Sequence, residues 1–573
     1  MANKQKLELT WIGKENRPRL EPRILLEDPT KSYHAKHRVS KNDIFDNRLI
    51  FGDNLLALKA LEQEFTGKVK CIYIDPPYNT GNAFEHYDDS LEHSIWLGLM
   101  RDRITVLRKL LSNDGFFCCH IDDSEGPYLK VMLDEIFGRS NYLTTFFIQV
   151  RYPEKTLKQD MAFHKEIEQI HIYRKEYGAT PNRNHAAPSF DKFTFYVKEK
   201  GCGKKNIIGG KETVVFQKDE YEVYQDTGSE NGLKEIWATG TILDGNSSGR
   251  FFRDYLSGRV EEDGLGVLYK VKGIGDDKFD YRYFSGPKRA NATKGKYYQG
   301  VPKNQIDNPD QMKEFPIENF YDLAANFGNC RHEGGVEFRS GKKPEKLLEI
   351  ILKHFSNPGD LVLDSFAGSG STGAVAHKMG RRWIMVELGE HCHTHIIPRL
   401  KKVIDGEDKG GITGAVNWKG GGGFRYYKVA PSLLEKDKWG NWVINREYNS
   451  AMLAEAVCKL EGFSYEPSDS LYWMHGKSTE TDFIYVTTQN LNRDQLALLS
   501  DEVGCNRSLL VMCSAFRAKA EDFPNLTIKK IPNTVLAKCE WGHDDYSLQV
   551  ENLPALPRPE RKQRGLFDEE EEE

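Results

Sequence analysis

Two short loops, each directly following an apolar strand, constrain this chain more than any other feature. The first is Asp75-Pro76-Pro77-Tyr78-Asn79-Thr80-Gly81, after Cys71-Ile72-Tyr73-Ile74. The second is Asp364-Ser365-Phe366-Ala367-Gly368-Ser369-Gly370-Ser371-Thr372-Gly373, after Leu361-Val362-Leu363. Residues 94–111 have apolar positions at helical spacing and Gly115–Ile121 reads as a further strand. After the second loop come a helix and the strand Trp383–Val386. Strand, helix, strand in this rhythm builds a parallel α/β sheet, which binds ligands at the carboxyl ends of its strands. The loops lie about 290 residues apart, so one sheet is expected to be assembled from two separated halves of the chain.

The length of 573 residues suggests three or four domains. Residues 1–45 read as an extended basic arm, with ten Lys/Arg against five Asp/Glu up to Lys41, to lie either on DNA or on its own protein. Residues 46–150 form the first α/β half. Residues 151–335, rich in glycine and aromatics, read as an inserted domain, and residues 336–430 form the second α/β half. Residues 431–555 carry strands at Phe483–Val486 and Leu509–Met512 around a helix near 491–502, a second small α/β unit. Residues 556–573 end in Asp568 and five glutamates, a like-charge run expected to be disordered.

The formal net charge of -5 gives no whole-chain signal for nucleic acid, and that acidic tail masks a remainder near neutrality. No apolar run is long enough to span a membrane, mean hydropathy is -0.61, and the first residues lack a secretory signal. Ten scattered cysteines without a CxxC pair suggest a reduced, cytoplasmic protein.

The first loop places a carboxylate, two prolines and an aromatic at a strand end. Adjacent prolines fix φ and remove backbone donors, leaving carbonyls to accept from an amino group, while Tyr78 offers a face for a planar base. The plain alternative is a tight turn whose Asp caps a helix. In the second loop, glycines allow close approach of a nucleotide-like ligand, and Glu387, 23 residues after Asp364, is placed to bind two ribose hydroxyls. Its alternative is a loop that merely packs a helix on the sheet. It is not a phosphate-binding GxxxxGK[ST] loop, because no Lys follows the last glycine.

Together, DPPY followed after a long insert by FAGSGST resembles the amino-group DNA methyltransferases in their β permutation. DPPYNTGN, the helix with Trp96 and Arg101, and GFFCCHIDDSE (115–125) resemble the Mod subunit of type III restriction-modification systems. The resemblance covers 46–150 and 340–428 closely. It implies a Rossmann-like S-adenosylmethionine-dependent methyltransferase sheet in permuted order, with an inserted target-recognition domain and a small C-terminal α/β domain for dimerisation or docking. Carried onto this sequence, it implies Asp75, Pro76, Pro77 and Tyr78 as the catalytic loop. It implies Asp53 and Asn54 near the cofactor adenine, and Lys343, Pro344 and Lys346 beside the methionine end. Asp364, Phe366, Gly368, Gly370, Thr372 and Glu387 would form the cofactor loop and ribose acid. The family favours Asp at the first loop position for adenine.

The implied reaction is methyl transfer from S-adenosylmethionine to adenine N6 of a base flipped from duplex DNA, in a prokaryotic cytoplasm. The implied partners are a second copy of the chain and a restriction subunit. N4-cytosine methylation, RNA modification and a catalytically idle recognition subunit stand as alternatives.

The stretch 281–303 carries six Lys/Arg, five Tyr/Phe and no acid. Arg282, Lys288, Arg289, Lys294 and Lys296 are therefore the candidate DNA-binding residues, against the plain reading of a solvated hairpin. His391-Cys392-His393-Thr394-His395 lacks a second ligand cluster, so no metal is expected. Cys118-Cys119-His120 reads as core, and Asp122 and Asp123 read as capping or hydrogen-bonding residues, with a direct active-site role as the alternative.

Overall fold

In the computed structural model, the described residues are 8–15, 17–78, 93–153, 163–186, 189–238, 247–289, 294–307, 312–338 and 341–546. Asn79, Thr80 and Gly81 of the first loop and the acidic tail 556–573 lie outside them.

Apolar runs from both halves of the chain form one eleven-stranded sheet. Its strands are β1 (Leu25–Glu27), β2 (Tyr33–His34), β3 (Asn47–Phe51), β4 (Val69–Ile74), β5 (Leu111–Ile121) and β6 (Tyr142–Gln149). They continue with β7 (Ile167–Arg174), β8 (Phe320–Asp322), β9 (Leu361–Asp364), β10 (Arg382–Glu387) and β11 (Gly423–Val429). The order across the sheet is β1-β11-β3-β10-β9-β4-β5-β7-β6-β8, with β2 also on β11. From β11 to β5 every neighbouring pair is parallel. β7 turns antiparallel to β5 and to β6. Buried on both faces, the central strands read as continuous apolar runs rather than alternating ones.

The two halves meet where β9 pairs with β4, Val362 opposite Cys71 and Leu363 opposite Ile72. From β4 the chain passes through α2 (His93–Leu110) to β5 on one side, and from β9 it passes through α5 (Ser371–Lys378) to β10 on the other. The β9/β4 boundary is thus the point where strand order reverses, and the loops after both strands open at its carboxyl edge. Around it, Leu55, Leu58 and Leu61 of α1 (Asn54–Phe65), Trp96, Met100 and Leu107 of α2, and Leu129 and Leu133 of α3 (Gly126–Phe137) pack on β4, β5 and β10. α4 (Glu345–Phe355) and α6 (Ile397–Ile404) follow in the second half.

The N-terminal arm packs on its own protein. Arg23 is buried, bonded to the Ala430 carbonyl and paired with Glu21, and β1 pairs with β11. The C-terminal unit has parallel strands Asp482–Val486, Ser508–Cys513 and Leu526–Lys530 beside the helices Ser450–Glu461 and Arg493–Val503.

Residues 183–317 form a separate compact unit, narrower than the expected insert of 151–335. The difference arises because β7 and β8, read as insert, supply strands to the main sheet. This unit holds an eight-stranded sheet with antiparallel pairing throughout. Tyr281–Ser285 and Lys296–Gly300 are neighbouring strands in it, Tyr283 opposite Tyr298. Phe251, Phe252 and Leu256 cover one face of the sheet, and the sheet's own Phe216, Tyr283 and Tyr298 form a buried aromatic cluster on the other.

Candidate active site

Asp75 leaves the end of β4, and Asp364 ends β9 on the neighbouring strand. Trp96 donates its indole N–H to the Pro77 carbonyl at 2.7 Å, which anchors the first loop to α2. Tyr78 folds back and donates its hydroxyl to Asp75 Oδ1 at 2.7 Å. Lys343, just before α4, brings its ammonium 3.2 Å from Asp75 Oδ1, 2.6 Å from the Tyr78 hydroxyl and 4.7 Å from the centre of the Tyr78 ring.

A residue outside both motifs completes this group. Glu168, on β7, lies 3.2 Å from Lys343 Nζ, 3.3 Å from the Tyr78 hydroxyl and 2.8 Å from His120 Nε2. Its position follows from strand direction: an antiparallel strand begins where its parallel neighbours end. In register, Tyr73 faces Cys118 across β4/β5, and His120 faces Ile170 across β5/β7. With period two, Asp75, His120 and Glu168 therefore fall on one face at the same edge. His120, read from sequence as core, contacts Tyr73 by its other nitrogen at 2.8 Å.

The charges of this group depend on one another. Burial works against the charged forms of Glu168 and Lys343. Lys343 and His120 nevertheless hold Glu168 well below the usual carboxylate range, and Asp75 and Glu168 hold Lys343 above the usual lysine value. Burial and the same two carboxylates push the Tyr78 hydroxyl far up, so it remains a donor.

The second loop begins with Asp364, which accepts from the Phe366 amide at 2.9 Å and the Thr372 hydroxyl at 2.5 Å. Burial raises its pKa to about 7, with Asp75 and Glu387 adding repulsion. Gly370 starts α5 at φ +74, and a Cβ there would stand 2.9 Å from Ile396 Cγ2, so the turn requires glycine. Phe366 is half-buried against the core. Glu387, at the end of β10, accepts from the amides of Gly368 at 2.7 Å and Gly389 at 2.9 Å. Each carboxylate oxygen has more than one lone pair, so Glu387 retains acceptor capacity for a diol. His391 Nε2 lies 3.1 Å from it.

Asp53 and Asn54 take a more structural part than the sequence reading assigned. Asp53 caps α1 through the Leu56 amide at 3.0 Å, pairs with Arg103 at 3.2 Å and accepts from the Tyr546 amide. Asn54 donates to the Ser365 carbonyl at 2.8 Å and accepts from Arg103, tying the β3 loop to the β9 loop. Pro344 occupies the N-cap position of α4, its carbonyl accepting from the Leu347 amide at 3.1 Å, and the Lys343 carbonyl accepts from the Ser371 hydroxyl, which joins the helix to the second loop. Lys346, by contrast, is exposed and pairs with Glu349 on its own helix.

The candidate DNA residues divide. Arg282 is only 4% exposed and is ion-paired to buried Asp277 at 2.6 Å, inside the sheet cover described above, so the expectation of a phosphate contact there is corrected. Lys296 pairs with Glu235 and lies over the Trp237 ring. Lys288, Arg289 and Lys294 are exposed.

Among the described residues no group of three or more His, Cys, Asp or Glu is arranged to hold a metal, and no helix is long and apolar enough to cross a membrane. His393, from the discounted cluster, contacts Glu390 and Tyr426.

The family model described as DNA methylase matches residues 69–398. The chain is 33% identical over 416 residues to the probable type III restriction-modification enzyme HindVI Mod subunit of Haemophilus influenzae, covering 67% of this chain and 54% of that protein. It is 27% identical to the type III EcoPI Mod subunit of Escherichia phage P1, covering 65% and 62%. It is 29% identical to the type II methyltransferase M.EcaI of Enterobacter cloacae, covering 67% and 75%. The alignments thus span little more than half of the first relative's length.

Proposed function

The chain belongs to the DNA methylase family, and from that premise we propose that it methylates adenine N6 in duplex DNA as the modification subunit of a type III restriction-modification system. The observation that carries the reading is the pairing of β4 with β9, which brings the Asp75 loop and the Asp364–Thr372 loop to one edge of the sheet although they are far apart in sequence.

The residues fit S-adenosylmethionine. Glu387, at the end of β10, keeps acceptor capacity for a ribose diol beside the Gly368–Gly370 turn, whose backbone it holds. When bound, that cofactor supplies an electrophilic methyl group on a sulfonium. The protein's own part is to orient and polarise the acceptor. An exocyclic adenine amine is a weak nucleophile because its lone pair is delocalised into the ring. Hydrogen bonds from it to the Asp75 carboxylate and the Pro76 carbonyl favour the pyramidal form, whose lone pair is free to attack. Tyr78 supplies a stacking face for the flipped base, offsetting part of the few kcal/mol that unstacking costs. The chemistry is direct transfer and requires no enzyme nucleophile: as the N–C bond forms the S–C bond would break, leaving S-adenosylhomocysteine as the neutral thioether, and the proton shed by the methylated amine would pass by way of the Asp75 carboxylate to solvent.

Residues 183–317 are proposed to recognise the target, with Lys288, Arg289 and Lys294 as phosphate contacts that position without specifying sequence. A homodimer and a restriction subunit as partner belong to the same proposal, as does a place in the prokaryotic cytoplasm. Sequencing that distinguishes methylated bases, run on DNA from cells expressing the chain, is expected to find N6-methyladenine in one asymmetric motif. N4-methylcytosine, or unmodified DNA, overturns the reading.

A further inference from the structure

We propose that Glu168 is a positioning residue for methyl transfer: it gives the Lys343 ammonium, which it shares with Asp75, a second carboxylate to rest on, so that Asp75 can release Lys343 and receive the incoming amine. This inference rests on the amino-methyltransferase reading above.

The geometry is a shared cation. Lys343 Nζ is 3.2 Å from Asp75 Oδ1 and 3.2 Å from Glu168 Oε2, with the Tyr78 hydroxyl reaching both carboxylates from the side. Two carboxylates so close together are tolerable in a buried site only with a cation between them. Asp75 must give up polar partners when the amine arrives. Lys343 then still has Glu168, so its charge is not stranded and it need not compete for Asp75. Glu168 is itself fixed from behind. His120 is wholly buried and places Nε2 2.8 Å from Glu168, while its Nδ1 faces the Tyr73 hydroxyl at 2.8 Å. The Tyr73 hydroxyl and the Glu168 carboxylate thus bracket the imidazole at its two ring nitrogens and fix its place between them. The row Tyr73, His120, Glu168, Lys343, Asp75 thus runs from the core to the reacting edge, drawing on β4, β5, β7 and the entry to α4.

Without the Glu168 charge, Asp75 is the one carboxylate left to Lys343 among the described residues, and the pair they already make does not open for the amine. The loss should fall on turnover rather than on cofactor binding, because Glu387 and the Asp364 loop are untouched.

The test uses the full-length chain, unmethylated genomic DNA and S-adenosylmethionine bearing a labelled methyl group, comparing wild type, Glu168→Gln, Glu168→Asp and Asp75→Ala. Misplacement of a reacting group by ~1 Å costs on the order of 100-fold. Glu168→Gln is therefore expected to lower kcat by about 10- to 100-fold, with KM and Kd for S-adenosylmethionine within about threefold of wild type. Glu168→Asp, which keeps the charge on a shorter arm, should recover a substantial part of kcat. Wild-type kcat in Glu168→Gln, a loss confined to KM for S-adenosylmethionine, or equal loss in the Gln and Asp variants overturns the role of Glu168. Absence of transfer by wild type overturns the underlying function instead.

Discussion

Tyr78 donates its hydroxyl to Asp75 Oδ1 at 2.7 Å, so the ring proposed to stack on a flipped base is tied to the carboxylate proposed to receive that base's amine. Two residues of one loop thereby link recognition of the base's face to recognition of its edge. With its pKa pushed far up by burial and the two carboxylates, the hydroxyl stays a donor across the working pH range.

The two functions of Tyr78 separate by substitution. Tyr78→Phe keeps the ring and removes the bond to Asp75, whereas Tyr78→Ala removes both. Base–aromatic stacking is worth ~1–3 kcal/mol. In steady-state methyl transfer, kcat/KM for DNA should stay within about tenfold of wild type for Phe and fall by about 10- to 100-fold further for Ala. Equal loss in both variants would show that the hydroxyl, not the ring, carries the role.

Asp364 should leave a signature in stability against pH. Its folded pKa of about 7 lies above the ordinary carboxylate value, chiefly through burial, so between about pH 4 and 7 the folded state binds more protons than the unfolded one. Stability contributed by this group is therefore present at acid pH and lost as pH rises through that window. Asp364→Asn removes the dependence. The advantage of the Asn variant in chemical denaturation should grow from pH 5 to pH 8, toward an upper limit of about 4 kcal/mol. A difference that does not change with pH contradicts the assignment.

Glu387 holds the backbone turns at Gly368 and Gly389 and is the proposed diol acceptor. Hydrogen bonds to a charged group are worth ~1.5–3 kcal/mol, so Glu387→Ala should weaken S-adenosylmethionine binding by about 10- to 150-fold in calorimetry. Unchanged affinity would remove Glu387 from the cofactor site.

The basic residues of the 183–317 unit should behave as two classes. Arg282→Ala leaves Asp277 buried without its ion pair and should cost about 3–5 kcal/mol of stability in that unit. Replacing exposed Lys288, Arg289 and Lys294 together should leave stability unchanged. It should also flatten the salt dependence of DNA affinity by up to about 0.9 in log–log slope for each phosphate no longer neutralised. An unchanged slope argues that this strand pair faces away from DNA.

Much of this site was legible in the sequence because its loops are local: DPPY and DSFAGSGST each announce a strand end by composition alone. The interleaving of the halves was legible too, since two α/β segments flank a stretch of different texture. Glu168 was not, because its place depends on β7 turning antiparallel to β5, a pairing between distant segments that no local pattern marks. The alternating strand Ile167–Arg174 was the available signal, but it lay within the stretch assigned to the insert. Arg282 was misread for a related reason. The acid-free stretch began at Tyr281, and the carboxylate that neutralises the arginine, Asp277, lies just before it. Lys346 followed the motif in sequence, yet its place on α4 points it to Glu349 and solvent.

The central claim is that Asp75 directs methyl transfer to an adenine amine. Its most direct test incubates duplex DNA with S-adenosylmethionine bearing a labelled methyl group and either wild type or Asp75→Ala, followed by hydrolysis to nucleosides and measurement of cofactor affinity for both proteins. The account predicts labelled N6-methyladenine from wild type and none from Asp75→Ala, with cofactor binding retained. Label in N4-methylcytosine, or transfer by Asp75→Ala at a rate near wild type, would contradict it.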